Sequence, residues 1–323
     1  MVKNYDLLIL FSLKLSLPAM PKLFTKIVYS TRPINLFLIF FTYFILNLVQ
    51  LKLIESPEGI SSSILPTKNY LIYTLAMVLI GYGGYLINDL FDTNTDKINK
   101  PESMIFTSNR AIWVGIFVYI FISAITLLLT AGISMLLTEI NLILIILLFL
   151  YSLYFKKVPF FGNLLVGLIC AYVPFSVLII QQPEYESWSG WKNFSSLIYF
   201  YSAFTFFTTL MREIIKDAED VEGDRQSGIK TLPLRVGFSV TNTFVILLNV
   251  ILILVLGVFL YQLPAYNLSP VVKIALCLLL LIPNLPIAIY TASAKEKKDY
   301  SRISSYLKFY MLIGLLSLIL FIL

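Results

Sequence analysis

Nine stretches of this chain are long and apolar enough to cross a bilayer, and that repetition limits the fold before any motif is read. They lie near 34–54, 70–90, 111–131, 134–154, 162–181, 194–214, 240–262, 271–292 and 304–323. At 1.5 Å per residue, about 20 residues of helix match a hydrocarbon layer of ~30 Å. Lipid offers no partners to backbone N–H and C=O groups, so runs of Leu, Ile, Val and aromatic residues cross it as helices. The expected fold class is an all-α membrane protein with nine transmembrane helices. Hydrophobic residues at 59% and charged residues at 13% agree with this, since a soluble domain holds roughly 45–50% and about 25%. Pro174 in the fifth run and Pro283 and Pro286 in the eighth are expected to kink their helices rather than end them.

The run Leu7 to Leu13 is too short to span and is followed by Lys14, Lys22, Lys26 and Arg32. Residues 1–30 therefore read as an amino-terminal helix lying along the interface, with a cleaved signal as the alternative. Residues 31–323 form the nine-helix domain. Of the 24 Lys and Arg residues, twenty fall on the side of the amino terminus, and only Lys52, Lys68, Lys192 and Lys273 fall on the other. The positive-inside rule puts the amino terminus in the cytoplasm.

Histidine is absent, and Cys170 and Cys277 both lie inside apolar runs. Ser-His-Asp hydrolysis, His-ligated zinc or haem, and a disulfide framework are therefore excluded. Any chemistry falls to carboxylates, amides, Lys, Arg, Tyr and a hard cation. The net charge of +6 comes from basic residues between spans, which suits anionic lipid heads or an anionic substrate; no nucleic-acid partner is expected. Nothing points to an obligate protein partner.

Half of the eighteen acidic residues sit in two places. The second span ends in Asn88-Asp89-Leu90-Phe91-Asp92-Thr93-Asn94-Thr95-Asp96. The sixth ends in Arg212-Glu213-Ile214-Ile215-Lys216-Asp217-Ala218-Glu219-Asp220-Val221-Glu222-Gly223-Asp224-Arg225. Read as helix, Asn88, Asp92 and Asp96 share a face, and so do Glu213, Asp217, Asp220 and Asp224. Stacked carboxylates repel by a few tenths of a kcal/mol per pair even on an exposed helix. A chain that stacks them twice, both times at the cytoplasmic end of a span, expects cations there.

The donors are hard oxygens, which suit Mg²⁺, Ca²⁺ or Mn²⁺, and the EF-hand pattern is missing. Mg²⁺ takes one or two carboxylates per ion and completes its shell with water and substrate phosphate oxygens. Two acidic helix ends facing each other across a central cavity suit a lipid diphosphate, with Lys and Arg neutralising the remaining charge. Three readings stand on the residues alone. One is transfer of the lipid group from its diphosphate. Another is a Mg²⁺-dependent transferase of the CDP-alcohol phosphotransferase kind, which lacks its D-G-x-x-A-R here. The last is a transporter using the acids as an ion path, which would place charges near the midplane on broken helices. Solvated cytoplasmic loops are the bland alternative to all three.

The pair N-D-x-x-D-x-x-x-D and K-D-x-E-D-x-E-G-D-R, followed by Gly228-x-Lys230-Thr231-Leu232-Pro233, resembles the UbiA superfamily of intramembrane prenyltransferases. Arg32-Pro33, Tyr151-Ser152, Lys156-Lys157 and Gly162-Asn163 extend the resemblance over residues 32 to about 237. It implies nine transmembrane helices and Mg²⁺-dependent transfer of an isoprenyl group from its diphosphate to a hydrophobic acceptor. By the same resemblance, Asn88, Asp89, Asp92, Asp96, Asp217, Asp220 and Asp224 bind metal, with Asp92, Asp220 and Lys156 at the centre of catalysis. Arg32, Lys156, Lys216 and Arg225 face the diphosphate, and Asn163, Tyr82 and Tyr151 belong to the acceptor side or pocket. The aromatics Tyr82, Tyr85, Tyr199, Phe200, Tyr201, Phe204, Phe206 and Phe207 on the two acid-bearing helices offer a wall for an allylic cation, and each alone reads equally well as a lipid-facing residue. The motifs look most like the geranylgeranylglycerol-phosphate branch, with aromatic or quinone-precursor acceptors as the alternative. One departure lies at Ser103 to Arg110, where relatives carry a basic Pro-Ser-Gly segment.

Overall fold

The computed structural model of the chain describes residues 32–54, 67–93, 108–185, 189–226 and 228–322. The interfacial reading of residues 1–30, the position of Asp96 and the departing loop at 103–107 fall outside them. Among the described residues, nine helices are long and apolar enough to cross a membrane, as the hydropathy pattern requires. The first six are α1 (Pro33–Leu53), α2 (Lys68–Phe91), α3 (Asn109–Ala131), α4 (Met135–Leu153), α5 (Phe161–Tyr185) and α6 (Trp191–Glu219). A short α7 (Val221–Gln226) leads to the seventh span, α8 (Leu232–Gln262), which kinks at Gly237. The eighth span is α9 (Pro270–Leu281) followed by α10 (Asn284–Ser293). The ninth is α11 (Lys297–Ser317) with a 3₁₀ turn at Leu318–Phe321.

The helix starts are written locally. Thr67, Ser108 and Ser269 each accept a hydrogen bond from the amide three residues on. Pro33 and Pro270 open the first turns of α1 and α9, and Glu296 with Asp299 forms a capping box before α11. Each device satisfies or removes amides that the first turn leaves without partners.

The helices gather on α6, which packs against α5, α8 and α11, while α2 packs on α3 and α4. α1 lies beside α2 and α5 and meets Leu318–Phe321, so the first and ninth spans adjoin. Met211, Ile214 and Ile215 of α6 are fully buried. α3 and α4 carry an outward face of large apolar side chains such as Trp113, Phe117, Leu128 and Met135, as expected where lipid replaces protein.

Several polar groups inside the bundle are paired across spans, where an unpaired one is costly. The Tyr70 hydroxyl donates to the Tyr43 carbonyl at 2.7 Å. Tyr43 and Ser176 hydroxyls lie 2.6 Å apart, and those of Tyr73 and Tyr172 lie 2.9 Å apart. The eighth span differs from expectation: Pro283 ends α9 rather than kinking a continuous helix, and α10 starts afresh at Asn284. The broken helix leaves the Leu280 carbonyl without its helical partner. The Asn284 side-chain amide and the Tyr310 hydroxyl of α11 both donate to it. Two side chains that replace the lost bond make the complete break tolerable. Pro174, by contrast, is accommodated inside α5.

Gly314 of α11 gives the tightest approach in this core. A methyl group there would run into the ring of Phe204 on α6, which itself packs edge-on against Tyr310 at 5.0 Å between centroids. Gly314→Ala is therefore expected to destabilise the protein by about 1–3 kcal/mol, read as a lower melting temperature in detergent. An unchanged melting temperature would mean that the Phe204 ring yields without cost.

Candidate functional site

Both acidic stretches end their spans with a break in the helix. α2 stops at Phe91 and Asp92 caps it, its amide still donating to the Asn88 carbonyl. α6 stops at Glu219 and Asp220 caps it; α7 then starts a new axis. The row of four carboxylates expected on one helix is thereby split. Glu213 and Asp217 share a face of α6, whereas Asp220 sits at the corner and Asp224 on α7. The break turns the second acidic stretch from a stripe into a corner.

The cross-span contacts assemble the site. The Asn88 side-chain amide donates to Asp92 Oδ2 at 2.7 Å, and the Lys156 ammonium pairs with Asp92 Oδ1. Arg32 Nη2 donates to Asp89 Oδ1 at 3.1 Å, and its guanidinium lies 4.7 Å from the centroid of the Tyr85 ring. On the other stretch, Asn163 Nδ2 of α5 donates to Asp217 Oδ2 at 2.8 Å. The Asp224 amide donates to the Asp220 carbonyl at 3.1 Å and the Asp224 carbonyl accepts from Ile229 at 2.9 Å, which fixes the loop after α6.

Lys156 pairs with the first stretch and feels the charge of the second. It sits in a 3₁₀ turn, Phe155–Lys157, between α4 and α5. Gly162 lets that turn press onto the start of α5, because a Cβ there would come within 2.9 Å of the Phe155 carbonyl oxygen and 3.0 Å of Lys156 Cα. The ammonium is nearly buried, with its side chain 11% exposed. Burial first, and then neighbouring Lys157, lower its pKa to about 8, while Asp224 and Asp89 act in the opposite direction. It therefore remains charged at pH 7. Burial, and next the adjacent Asp220, push the Asp224 carboxyl up to about 6, with Lys216 and Lys156 opposing.

The other expected residues divide. Tyr151, near the end of α4, lies within the fields of Glu213, Asp217 and Arg32. Lys216 is half-buried and acts on Asp224 and Lys156, while Arg225 is exposed at the end of α7. Tyr82 is half-buried on α2, and among the described residues no hydrogen bond ties it to the acids. The aromatic wall is only partial. Tyr199 points outward at 56% exposure, and Phe204 is locked in the core against Tyr310. A feature the motifs concealed is the pairing of Arg212 Nη1 with Glu213 Oε1 at 2.6 Å inside the sixth span. Its signal was two adjacent charges at the end of a run with none between Lys192 and Arg212.

Among the described residues no three acids converge to form a ready-made cage. Lys156 pairs with Asp92 of the first stretch, and the charge of Asp224 on the second acts on it. An all-oxygen donor set supplying one or two carboxylates per ion fits Mg²⁺, which leaves the rest of its shell to water and phosphate oxygens. Burial, and next the neighbouring Asp220, raise Asp224, and a divalent ion held nearby would favour its charged form.

The profile of the UbiA prenyltransferase family matches residues 59–316. A digeranylgeranylglyceryl phosphate synthase from Sulfolobus acidocaldarius is 33% identical over 171 residues, which is 53% of this chain and 58% of that protein. One from Saccharolobus solfataricus is 31% identical over 262 residues, covering 79% of this chain and 86% of that protein. The match thus spans a little over half of the first relative and most of the second. A solved structure of a digeranylgeranylglyceryl phosphate synthase in membranes superimposes with a TM-score of 0.68 at 20% identity, over 93% of this chain and 98% of that one. A UbiA homologue from Archaeoglobus fulgidus, bound to GPP and Mg²⁺, superimposes with a TM-score of 0.58 at 16% identity, over 91% and 99%.

Proposed function

Because the chain belongs to the UbiA prenyltransferase family, we propose that it transfers a geranylgeranyl group from its diphosphate to the free hydroxyl of geranylgeranylglycerol phosphate. The protein is an integral, multi-pass membrane protein. The reading is supported by Lys156, whose ammonium pairs with Asp92 of the first acidic stretch and feels the charge of Asp224 on the second. The names of its relatives supply the acceptor class.

In this reading Asn88, Asp89 and Asp92 of the first motif, with Asp96 from its sequence position, and Asp217, Asp220 and Asp224 of the second hold Mg²⁺. When bound, the metal stabilises the charge that the diphosphate gains as its allylic C–O bond breaks. Lys156 and Arg32 contact diphosphate oxygens, and Lys216 and Arg225 add a positive rim. Asn163, bonded to Asp217, fixes the direction of that carboxylate. Tyr85 and Tyr151, both within the field of Glu213, add aromatic bulk that keeps water away from the allylic tail. Twenty of the 24 basic residues fall on the side of the acidic stretches, so the diphosphate enters from the cytoplasm.

The test is turnover by the purified full chain with geranylgeranyl diphosphate and Mg²⁺, following products by mass against glycerophosphate and aromatic acceptors. The expected result is a Mg²⁺-dependent ether with geranylgeranylglycerol phosphate that disappears with EDTA. An aromatic product alone would move the acceptor to the quinone-precursor class. Folded protein that consumes no diphosphate of any chain length would overturn the reading.

A further inference from the structure

The Arg212–Glu213 pair opens the second acidic stretch, and the metal and diphosphate roles proposed above leave it unused. α6 carries no charge between Lys192 and Arg212, so these are the first ions met on leaving the apolar part of the span. Their side chains are 21% and 18% exposed. An ionised carboxylate inside a span is expensive unless paired, and Glu213 has its partner in Arg212 at 2.6 Å.

Its position is set by register. Thr209, Glu213 and Asp217 follow each other at intervals of four along one face of α6. That face meets α5 at two levels: Asp217 accepts from Asn163, and Thr209 lies beside Cys170. Glu213 falls between them and acts on Tyr85 of α2, Tyr151 of α4 and Cys170 of α5. Its charge is therefore felt on spans two, four and five, from a position one helical turn (~5.4 Å) deeper than Asp217.

Transfer to an alcohol releases a proton, which a positioned carboxylate can take. The allylic C–O bond breaks and its electron pair leaves with the diphosphate toward Lys156 and Arg32. The acceptor oxygen forms the new C–O bond to the same carbon, and its O–H bond gives up a proton. Resting on the acceptor reading above, we propose that Glu213, held by Arg212, receives the proton of the acceptor hydroxyl as the ether bond forms. The carboxylate becomes a carboxylic acid and returns its proton to water after product leaves.

The experiment measures two products at once in the full-length protein with geranylgeranyl diphosphate, geranylgeranylglycerol phosphate and Mg²⁺: inorganic diphosphate and ether. In Glu213→Gln, ether formation is expected to fall on the order of 10²-fold or more. Diphosphate release continues, with water capturing the allylic group as the free prenyl alcohol, and the KM for the diphosphate stays as in the native protein. Glu213→Asp keeps the pairing with Arg212 but draws the carboxylate back, so it should show the same excess of alcohol over ether in weaker form. This variant decides the matter if the glutamine variant does not fold. Equal loss of both products, or a native ratio in either folded variant, overturns the role. A native protein that releases diphosphate but prenylates no alcohol fails the acceptor reading instead, independently of Glu213.

Discussion

Asp92→Asn and Asp220→Asn each reduce turnover by about 10³-fold or more, with the protein still folded in detergent. The size follows from what each carboxylate does in the proposed site. Removing one fixed electrostatic partner of the developing charge typically costs 10²–10³ in rate, about 3–4 kcal/mol of barrier, and losing a metal ligand adds the weaker hold on the ion. Asparagine is the informative replacement because it changes charge and almost nothing else. At position 92 its carbonyl oxygen can still accept from Asn88, as Asp92 Oδ2 does at 2.7 Å. Its amide, however, would face the Lys156 ammonium donor to donor. At position 220 the residue caps α6 with φ −96° and ψ 9°, a conformation asparagine adopts readily. Product formation by mass and melting temperature on the same preparations check the result. Activity within a few-fold of native in both variants would remove the metal-bridged diphosphate from the mechanism.

The two acidic stretches were legible in the sequence, and the path of the chain through them was not. Hydropathy finds nine spans because lipid imposes one rule on every spanning segment, and the structure has them. It does not find where helices end once they leave the membrane. α6 continues five residues past the apolar run, to Glu219, and α8 begins at Leu232, well before the run at 240. The same blindness made Glu213, Asp217, Asp220 and Asp224 look like one stripe, since nothing local announces that Asp220 turns the chain. Pro283 was visible as a disruption, but its outcome depended on Tyr310 in another span being placed to satisfy Leu280. Asn163 and Asp217 meet across 54 positions, and Lys156 reaches Asp92 from a different pair of helices. Such contacts are properties of packing, which carries no short-range signature.

Lys156→Ala is expected to move two affinities in opposite directions. Both oxygens of Asp92 are engaged in this structure, one by the Asn88 amide and the other by the Lys156 ammonium. A divalent ion using that carboxylate must displace the ammonium, which is then free to meet an oxygen of the incoming diphosphate. The lysine thus competes with the metal before substrate arrives and cooperates with it afterwards. Removing it vacates one oxygen of Asp92, so Mg²⁺ binds more tightly to the protein alone, as measured by calorimetry or by the Mg²⁺-dependent rise in melting temperature. The diphosphate loses a charged hydrogen bond worth about 1.5–3 kcal/mol, so its KM rises roughly 10–100-fold. A variant in which Mg²⁺ and diphosphate both bind less well would assign Lys156 to holding the shape of the site rather than to exchange between ligands. One in which neither affinity changes would reduce it to an anchor at the membrane interface. Opposite shifts are specific to an ammonium that changes partner when substrate binds, since loss of the surrounding structure weakens both ligands together.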